Sequence, residues 1–593
     1  MAITPYSIVT LVFFFVSTVF VIRPVSIRVP FPFIGRRRLT LGLTWAPILT
    51  IALLWAAQCL GPDQIRNGIV GTDNIKPYNI LILFISLAYM AITLDVTGIL
   101  RAAAFHVSNV GGSKGRKLYF MFFALLTVIS MIIGNDPVIL SGTVFLVYYA
   151  KVTNLDSEAW LIAEFAAANT ASMVLFVGNP TNVVICEGFR INNATFTLYT
   201  IVPFLFCITA LYGALYVQFR NRIPKDILAT HRLEPSEVLD DPVGAIFGSV
   251  WLFVCLVVVI VTSFFHVDVW IIVLPFAFGK FIWDIVWDSY RLRTGKIKRY
   301  DPLNPPEAPE VRMERILIRQ MSTEAHQGVH RRNTRGATVT SFSTLHENTF
   351  PPFPRTESPT HDESMNTRND TQVSVIKEPE DKASGKYPND NKLGRFLNAK
   401  QEEIAQKYVE LSANYPTFFE ALPRLPFGLI PFAFAQFILI EALDHQGWIQ
   451  VFSRWLIIAS RGGSIHAVVW LVGVFGVILC NISGTNIGAT ILLTKIVRSS
   501  AFTPEVEEAA AVALAVASNI GAVSFTFSAS LAGLLWDSIL IDKGVKIKQR
   551  RFAKLNALPL LVMTAAGLGC CSIVVVTVEE LRRVGIAKPL PII

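Results

Sequence analysis

The chain is punctuated by apolar runs as long as a bilayer is thick. Twelve stand out, at 4–22, 40–60, 78–97, 118–133, 158–177, 197–219, 244–265, 269–288, 425–443, 465–481, 508–525 and 556–577. A membrane-crossing helix needs about 20 mostly apolar residues, because the hydrocarbon core is about 30 Å thick and a helix rises about 1.5 Å per residue. Only 16% of the 593 residues are charged and 52% are hydrophobic, whereas a soluble domain is typically about 25% charged. The charge needed to cover a water-facing surface is missing. An ordinary cytosolic enzyme, a coiled coil, a collagen and a wholly disordered chain are thereby excluded, and an all-α polytopic membrane protein is expected.

The net charge is +9. The basic residues sit between the apolar runs, so they mark topology rather than nucleic-acid binding. Arg23, Arg28, Arg36, Arg37 and Arg38 follow the first run, and Lys114, Arg116 and Lys117 the third. Arg220, Arg222 and Lys225, then Arg291 and Arg293, then Lys543, Lys546, Lys548, Arg550 and Arg551 continue the series. These groups are placed on the cytosolic side. The first run has no basic segment before it and no cleavage pattern, so it reads as a retained helix with its N-terminus outside. The sequon Asn193-Ala194-Thr195 then falls outside as well. Seven cysteines lie in or beside apolar runs without a CxxC spacing. No disulfide framework, no metal site and no cofactor is expected.

Residues 290–415 break the pattern. They are rich in Ser, Thr, Pro, Asn and charge, and cannot bury a core. They read as a disordered cytosolic loop. Two roles compete for it: a passive linker, or a regulatory segment in which Arg331, Arg332 and Arg335 precede Thr338, Thr340 and Ser341. The resulting plan has N-terminal transmembrane helices over 1–60, a first repeat over 61–289, the loop, a second repeat over 416–580 and a tail over 581–593.

The two membrane halves repeat each other. Gly134-Asn135-Asp136 matches Gly484-Thr485-Asn486, and Ala167-Ala168-Asn169 matches Ala517-Ser518-Asn519, each 350 positions on. The positive-inside pattern makes the copies opposite in orientation. Gly134, Pro137, Gly178, Pro180, Gly484 and Gly521 interrupt apolar runs. Unsatisfied backbone at membrane depth is tolerated only when it is buried in protein or lines a cavity. Inverted repeats with discontinuous helices are the mark of secondary transporters, whose sites lie near the midplane. We therefore expect two re-entrant hairpins with tips at Asn135 and Thr485, and two broken helices, at 169–182 and 518–530. No Walker A, HExxH or GxSxG motif is present, which argues against an enzyme and against direct ATP-driven pumping.

The candidate substrate-binding residues are Asn135, Asn169, Thr170, Gly178, Asn179, Thr181, Asn182, Gly484, Thr485, Asn486, Asn519, Thr526 and Ser528. Their amides, hydroxyls and free backbone groups can hold an oxyanion, a hydroxylated solute or a cation. Asp136 and Glu164 are the ion-coupling candidates, because a carboxylate within an apolar segment is costly and usually functional. A cap of the following half-helix is the rival reading for Asp136. Glu441 and Asp444 read as solvated helix ends, and Asp95 and Asp537 as structural.

These strings carry a family resemblance. "GND" at 134–136, "AAN" followed by "GNPTN" within 167–182, "SGTNIGA" at 483–489 and "ASNIGAVSFTFSASLAGLLW" at 517–536 resemble the ion transporter superfamily. Within it they are most similar to the arsenite efflux pump and citrate-transporter-like group, as is "LPFGLIPFAFAQFILIEAL" at 425–443. The resemblance implies an inverted-repeat fold, assembly as a homodimer, and transport of a small inorganic or organic ion coupled to H+ or Na+; a plasma membrane and a vacuole-like membrane both stay open as its location. It also implies a site at Asn135, Asp136, Asn179, Thr181, Gly484, Thr485, Asn486, Asn519 and Ser528. Two departures matter. The usual aspartate-threonine at the first tip reads Asp136-Pro137, and the Ser-Asn-Thr signature of dicarboxylate carriers is absent from the first half. Proton-coupled export of arsenite, antimonite or a similar hydroxylated oxyanion leads. A sodium/proton antiporter, a citrate-like carrier, and a membrane scaffold or receptor using the central loop follow.

Overall fold

In a computed structural model, residues 3–583 are described apart from 32–34, 73–74, 228–232, 266, 298–310, 314, 318 and 320–391. Among the described residues ten helices are long and apolar enough to cross a membrane. The chain is an integral multi-pass membrane protein built almost entirely from helices. The expected runs and the observed helices agree closely for most of the chain, for example Pro77–Val96, Gly115–Ile133, Asn193–Phe219 and Ile465–Ile482.

The run at 40–60 is the main exception. Its first residues pair as a strand, Gly35–Leu41, antiparallel to Val25–Phe31, with Val25 opposite Leu41. Only Trp45–Ala56 is helical, and 12 residues reach about 18 Å, too short to span the hydrocarbon. The strand signal is legible in retrospect. Val25-Ser26-Ile27-Arg28-Val29 alternates apolar and polar residues with period two.

Two series of elements run in the same order. The first is Gly115–Ile133, Asn135–Val152, Ser157–Ala171, a break, Pro180–Phe189 and Asn193–Phe219. The second is Ile465–Ile482, Asn486–Ser499, Pro504–Ile520, a break, Leu531–Asp542 and Gln549–Arg583. Short amphipathic helices precede each, Ile99–Gly111 and Trp448–Ala459. The series cross over one another. The short helix Pro180–Phe189 packs on the hairpin arm Asn486–Ser499, and Leu531–Asp542 packs on the arm Asn135–Val152. Each break is thus carried onto the other copy's hairpin.

Charged residues pin the arms in the same way in both series. Asp95, 1% exposed on the helix Pro77–Val96, accepts from Ser141 on the first arm and pairs with Arg424 at 3.4 Å. In the second series Glu441 and Asp444 on the helix Leu429–His445 flank Lys495 on the second arm, at 2.5 and 3.4 Å. Thr72 bonds both Glu441 and Lys495. Glu441 is therefore a buried ion-pair partner and not the solvated helix end expected from its position. A third cluster joins Lys280, Asp284 and Tyr89, and beside it Asp288 accepts from Thr417. It ties the helix Val269–Arg293 to Pro77–Val96.

The central stretch is not uniformly structureless. Lys392–Asn414 is helical. Met313, Ile316 and Leu317 are buried, with Arg312 bonded to Asp240 at 2.5 Å and Arg319 to Glu237 at 2.6 Å. The candidate phospho-acceptors Thr338, Thr340 and Ser341, and the tail from 584, lie outside the described residues. Asn193 of the sequon is 6% exposed in the first turn of its helix, so a glycan has no access to it in this conformation.

Removing one partner of a buried ion pair strands the other charge, typically at a cost of about 3–5 kcal/mol. Lys495→Met is expected to lower the unfolding midpoint of the detergent-solubilised protein markedly, and adding Glu441→Gln to recover part of the loss. A Lys495→Met midpoint equal to wild type would contradict the pinning role.

Candidate functional site

Two glycines make the hairpin tips. Gly134 separates Gly115–Ile133 from Asn135–Val152 with φ +87° and ψ 173°, and Gly484 stands at φ +86° between the arms of the second hairpin. That region is disfavoured for a residue with a Cβ. Space is short as well: a Cβ at Gly134 would sit 3.2 Å from the Gly178 carbonyl oxygen. The first tip therefore rests on the first break.

The breaks are built locally by capping. Ser157–Ala171 ends, a short 3-10 turn follows at Phe176–Gly178, and Asn179 turns extended to cap Pro180–Phe189, accepting from Thr181 N at 3.2 Å. In the second series Gly521–Val523 and Phe527–Ala529 form 3-10 turns, and Ser530 caps Leu531–Asp542 by accepting from Gly533 N at 2.9 Å. Pro180 suits the first helical position, where no backbone donor is needed.

An asparagine network joins tips and breaks. Asn135 Nδ2 donates to Asn169 Oδ1 at 3.0 Å. Asn519 Oδ1 accepts from Ser172 Oγ at 2.9 Å and Asn179 Nδ2 at 3.1 Å, while Asn519 Nδ2 donates to Asn182 Oδ1 at 2.8 Å. Asn182 Nδ2 donates to the Ser172 and Leu175 carbonyls, both at 2.9 Å. Ser518 Oγ donates to Thr181 Oγ1, and Asn486 Nδ2 to the Ser518 carbonyl, each at 3.3 Å. Asn135, Asn179 and Asn486 are at most 5% exposed, and Asn169, Thr181, Asn182 and Asn519 are fully buried. Residues 347 positions apart thus share one proton pattern, in a setting where an unmade bond is expensive.

Asp136 stands apart from this network. It lies in the first turn of Asn135–Val152, half-buried, and its side chain makes no capping bond to that helix. The capping role falls instead to the second tip, where Thr485 Oγ1 accepts from Gly488 N at 3.3 Å. The position matching Asp136 is Asn486, an amide spent on the Ser518 carbonyl. The two tips therefore differ in charge.

Several expected residues are not drawn in. Glu164 is fully buried and bonded to Thr143 Oγ1 at 2.9 Å, against the middle of the first arm and Gly142. Thr170 donates back to Ala166 O at 2.7 Å and faces Met563. Ser528 donates to Thr526 and Thr526 to Asn481, but no hydrogen bond among the described residues takes them to the asparagine network. Ser172, Ser518 and Asn481 are missing from the candidate set. Small polar residues inside breaks are a fair signal for the first two. Asn481 ends an ordinary-looking apolar helix and gives none.

Comparison with known proteins adds the wider setting. Residues 13–288 match the family model described as citrate transporter. This is the family group that the motifs indicated. An arsenical pump membrane protein of Yersinia enterocolitica is 26% identical over 226 residues, 36% of this chain and 51% of its own length. One from Escherichia coli K12 is 27% identical over 225 residues, 37% of this chain and 50% of its own. The chain thus spans about half the length of these relatives. The solved Alcanivorax borkumensis YdaH transporter aligns over 96% of this chain and 97% of its own at 10% identity, with a TM-score of 0.34. The matches are with a transporter family and pump membrane proteins, not with enzymes.

Asn519 both accepts and donates, so an isosteric Asn519→Asp replacement removes the donor to Asn182 and sets two oxygens against each other. One buried polar group left without a partner costs about 1–3 kcal/mol. Asn519→Asp is expected to lower the unfolding midpoint by that equivalent, measured in detergent, and Asn519→Ala to do likewise. An Asn519→Asp protein as stable as wild type would show that the network does not hold the breaks together.

Proposed function

We propose that the chain is a secondary active carrier that works by alternating access, with the two series standing inverted in the membrane. The observation that carries this reading is the network in which Asn519 of one break bonds Ser172, Asn179 and Asn182 of the other. Two helix breaks meeting through buried amides give a polar centre within an otherwise apolar molecule. Such a centre suits a small solute that exchanges hydrogen bonds with amides and hydroxyls.

Arsenite, antimonite or a similar hydroxylated oxyanion is the substrate class we favour. Among the described residues no Lys or Arg joins the hydrogen bonds of the centre, so a neutral hydroxylated species fits its donors and acceptors better than a polyanion does. The arsenical pump relatives point the same way. Asp136 supplies the coupling. A half-buried carboxylate without a bonded partner can take up and release a proton, and its loading would bias the carrier between inward and outward states. Glu164 remains a second candidate for proton uptake, at one remove through Thr143. Assembly as a homodimer belongs to the same proposal.

A carboxylate carrier is the second reading, favoured by the family description matched over 13–288. The two are separated by purified protein in sealed liposomes with a pH-sensitive dye inside. Arsenite is expected to evoke proton movement, and Asp136→Asn to reduce it by about tenfold or more, within the usual range of a single coupling energy. A response to citrate alone would favour the carboxylate carrier, and one to Na+ alone an antiporter. Undiminished proton-coupled flux in Asp136→Asn would overturn the coupling role.

A further inference from the structure

The two breaks are held by different side chains. In the first, donors satisfy carbonyls: Asn182 Nδ2 serves Ser172 O and Leu175 O, and Thr200 Oγ1 serves Val174 O at 3.1 Å. In the second, one acceptor gathers donors. Asn481 Oδ1 receives Phe525 N at 3.2 Å, Thr526 N at 3.2 Å and Thr526 Oγ1 at 3.1 Å, and lies 3.1 Å from Ser524 Oγ, whose proton goes to the Gly521 carbonyl at 2.5 Å. Asn481 belongs to the first arm of the second hairpin, two residues before its tip turn begins at Ser483. Its amide nitrogen reaches only Val477 O of its own helix, at 3.4 Å. The residue 350 positions earlier is Met131, which has no such oxygen.

The bonds continue one step further. Ser528 Oγ donates to Thr526 Oγ1 at 3.3 Å, and Thr526 Oγ1 in turn donates to Asn481 Oδ1. A hydroxyl carries one proton and two lone pairs. With its one proton spent on Thr526 Oγ1, the buried Ser528 hydroxyl keeps its lone pairs unspent. It then offers an acceptor to a solute hydroxyl or a cation.

We propose that Asn481 is a positioning residue: its side-chain oxygen holds the second break and fixes Ser528 as an acceptor, so that it tunes which solute the carrier binds. This rests on the carrier reading above and on the sequence expectation that Thr526 and Ser528 bind substrate, beside the asparagine centre rather than within it. The role uses the oxygen alone, which gives it a distinctive signature. Aspartate keeps that oxygen in place, whereas alanine removes it.

The test compares wild type, Asn481→Ala and Asn481→Asp of the full chain in lipid nanodiscs by hydrogen–deuterium exchange of the 520–530 segment. Transport kinetics are then measured in liposomes for whichever of arsenite, citrate and Na+ the wild type moves. Asn481→Ala is expected to exchange the Phe525 and Thr526 amides about tenfold faster, the equivalent of one lost hydrogen bond. It should also raise KM several-fold with little change in maximal rate. Asn481→Asp should restore both. Wild-type exchange in Asn481→Ala, or Asn481→Asp behaving like Asn481→Ala while the protein stays folded, would overturn the inference. If the wild type moves none of the three solutes, the proposed substrates fail, and the exchange comparison still decides whether Asn481 holds the break.

Discussion

Backbone groups freed at membrane depth must find partners inside the protein, and most of this architecture follows from meeting that demand twice. Each series contains a glycine tip and a helix break, and each frees N–H and C=O groups within the buried interior. The chain answers with asparagine. A single amide offers both donors and an acceptor, so Asn519 can bond Ser172, Asn179 and Asn182 at once. Leucine or valine at that place would leave Asn179 Nδ2 and Asn182 Oδ1 without this partner.

The crossing of the two series makes this answer possible. Pro180–Phe189 lies on the second hairpin arm and Leu531–Asp542 on the first, so each break is delivered to the other copy. The Ser141 bond to Asp95 and the ion pairs around Lys495 sit outside this centre and hold the arms against the helices Pro77–Val96 and Leu429–His445. Polar cohesion is thus split between a neutral centre and charged flanks. On the proposed function, that division would leave the centre free for an exchangeable solute, since a salt bridge there would compete with it.

Much of this could be read from the residues. Gly134, Pro137, Gly178, Pro180 and Gly484 interrupt apolar runs, and the repeat at 350 positions places the two centres in correspondence. Asn135, Asn179, Asn182, Asn486 and Asn519 follow from that logic. What escaped depends on partners that sequence does not supply. Glu441 reads as a solvated helix end until Lys495 is seen beside it. Glu164 has two readings, facing the cavity or satisfied by a neighbouring hydroxyl, until Thr143 is found to hold it against the arm. Asn481 acts through an oxygen pointed at residues 43 to 45 positions away, a relation with no local signal. The strand pair at Val25–Leu41 was hidden by its neighbours, whose apolar run masked a change of period from helix to strand.

The account's central claim is that one polar centre, shared by both series, is where the solute is held. It is tested most directly by mapping exchange protection in the purified, nanodisc-embedded protein with and without arsenite. The account predicts protection together at 135–136, 179–182, 484–486 and 518–519, with both halves responding at the same solute concentration. Protection confined to one half, or solute binding that leaves all four segments unchanged, would contradict it.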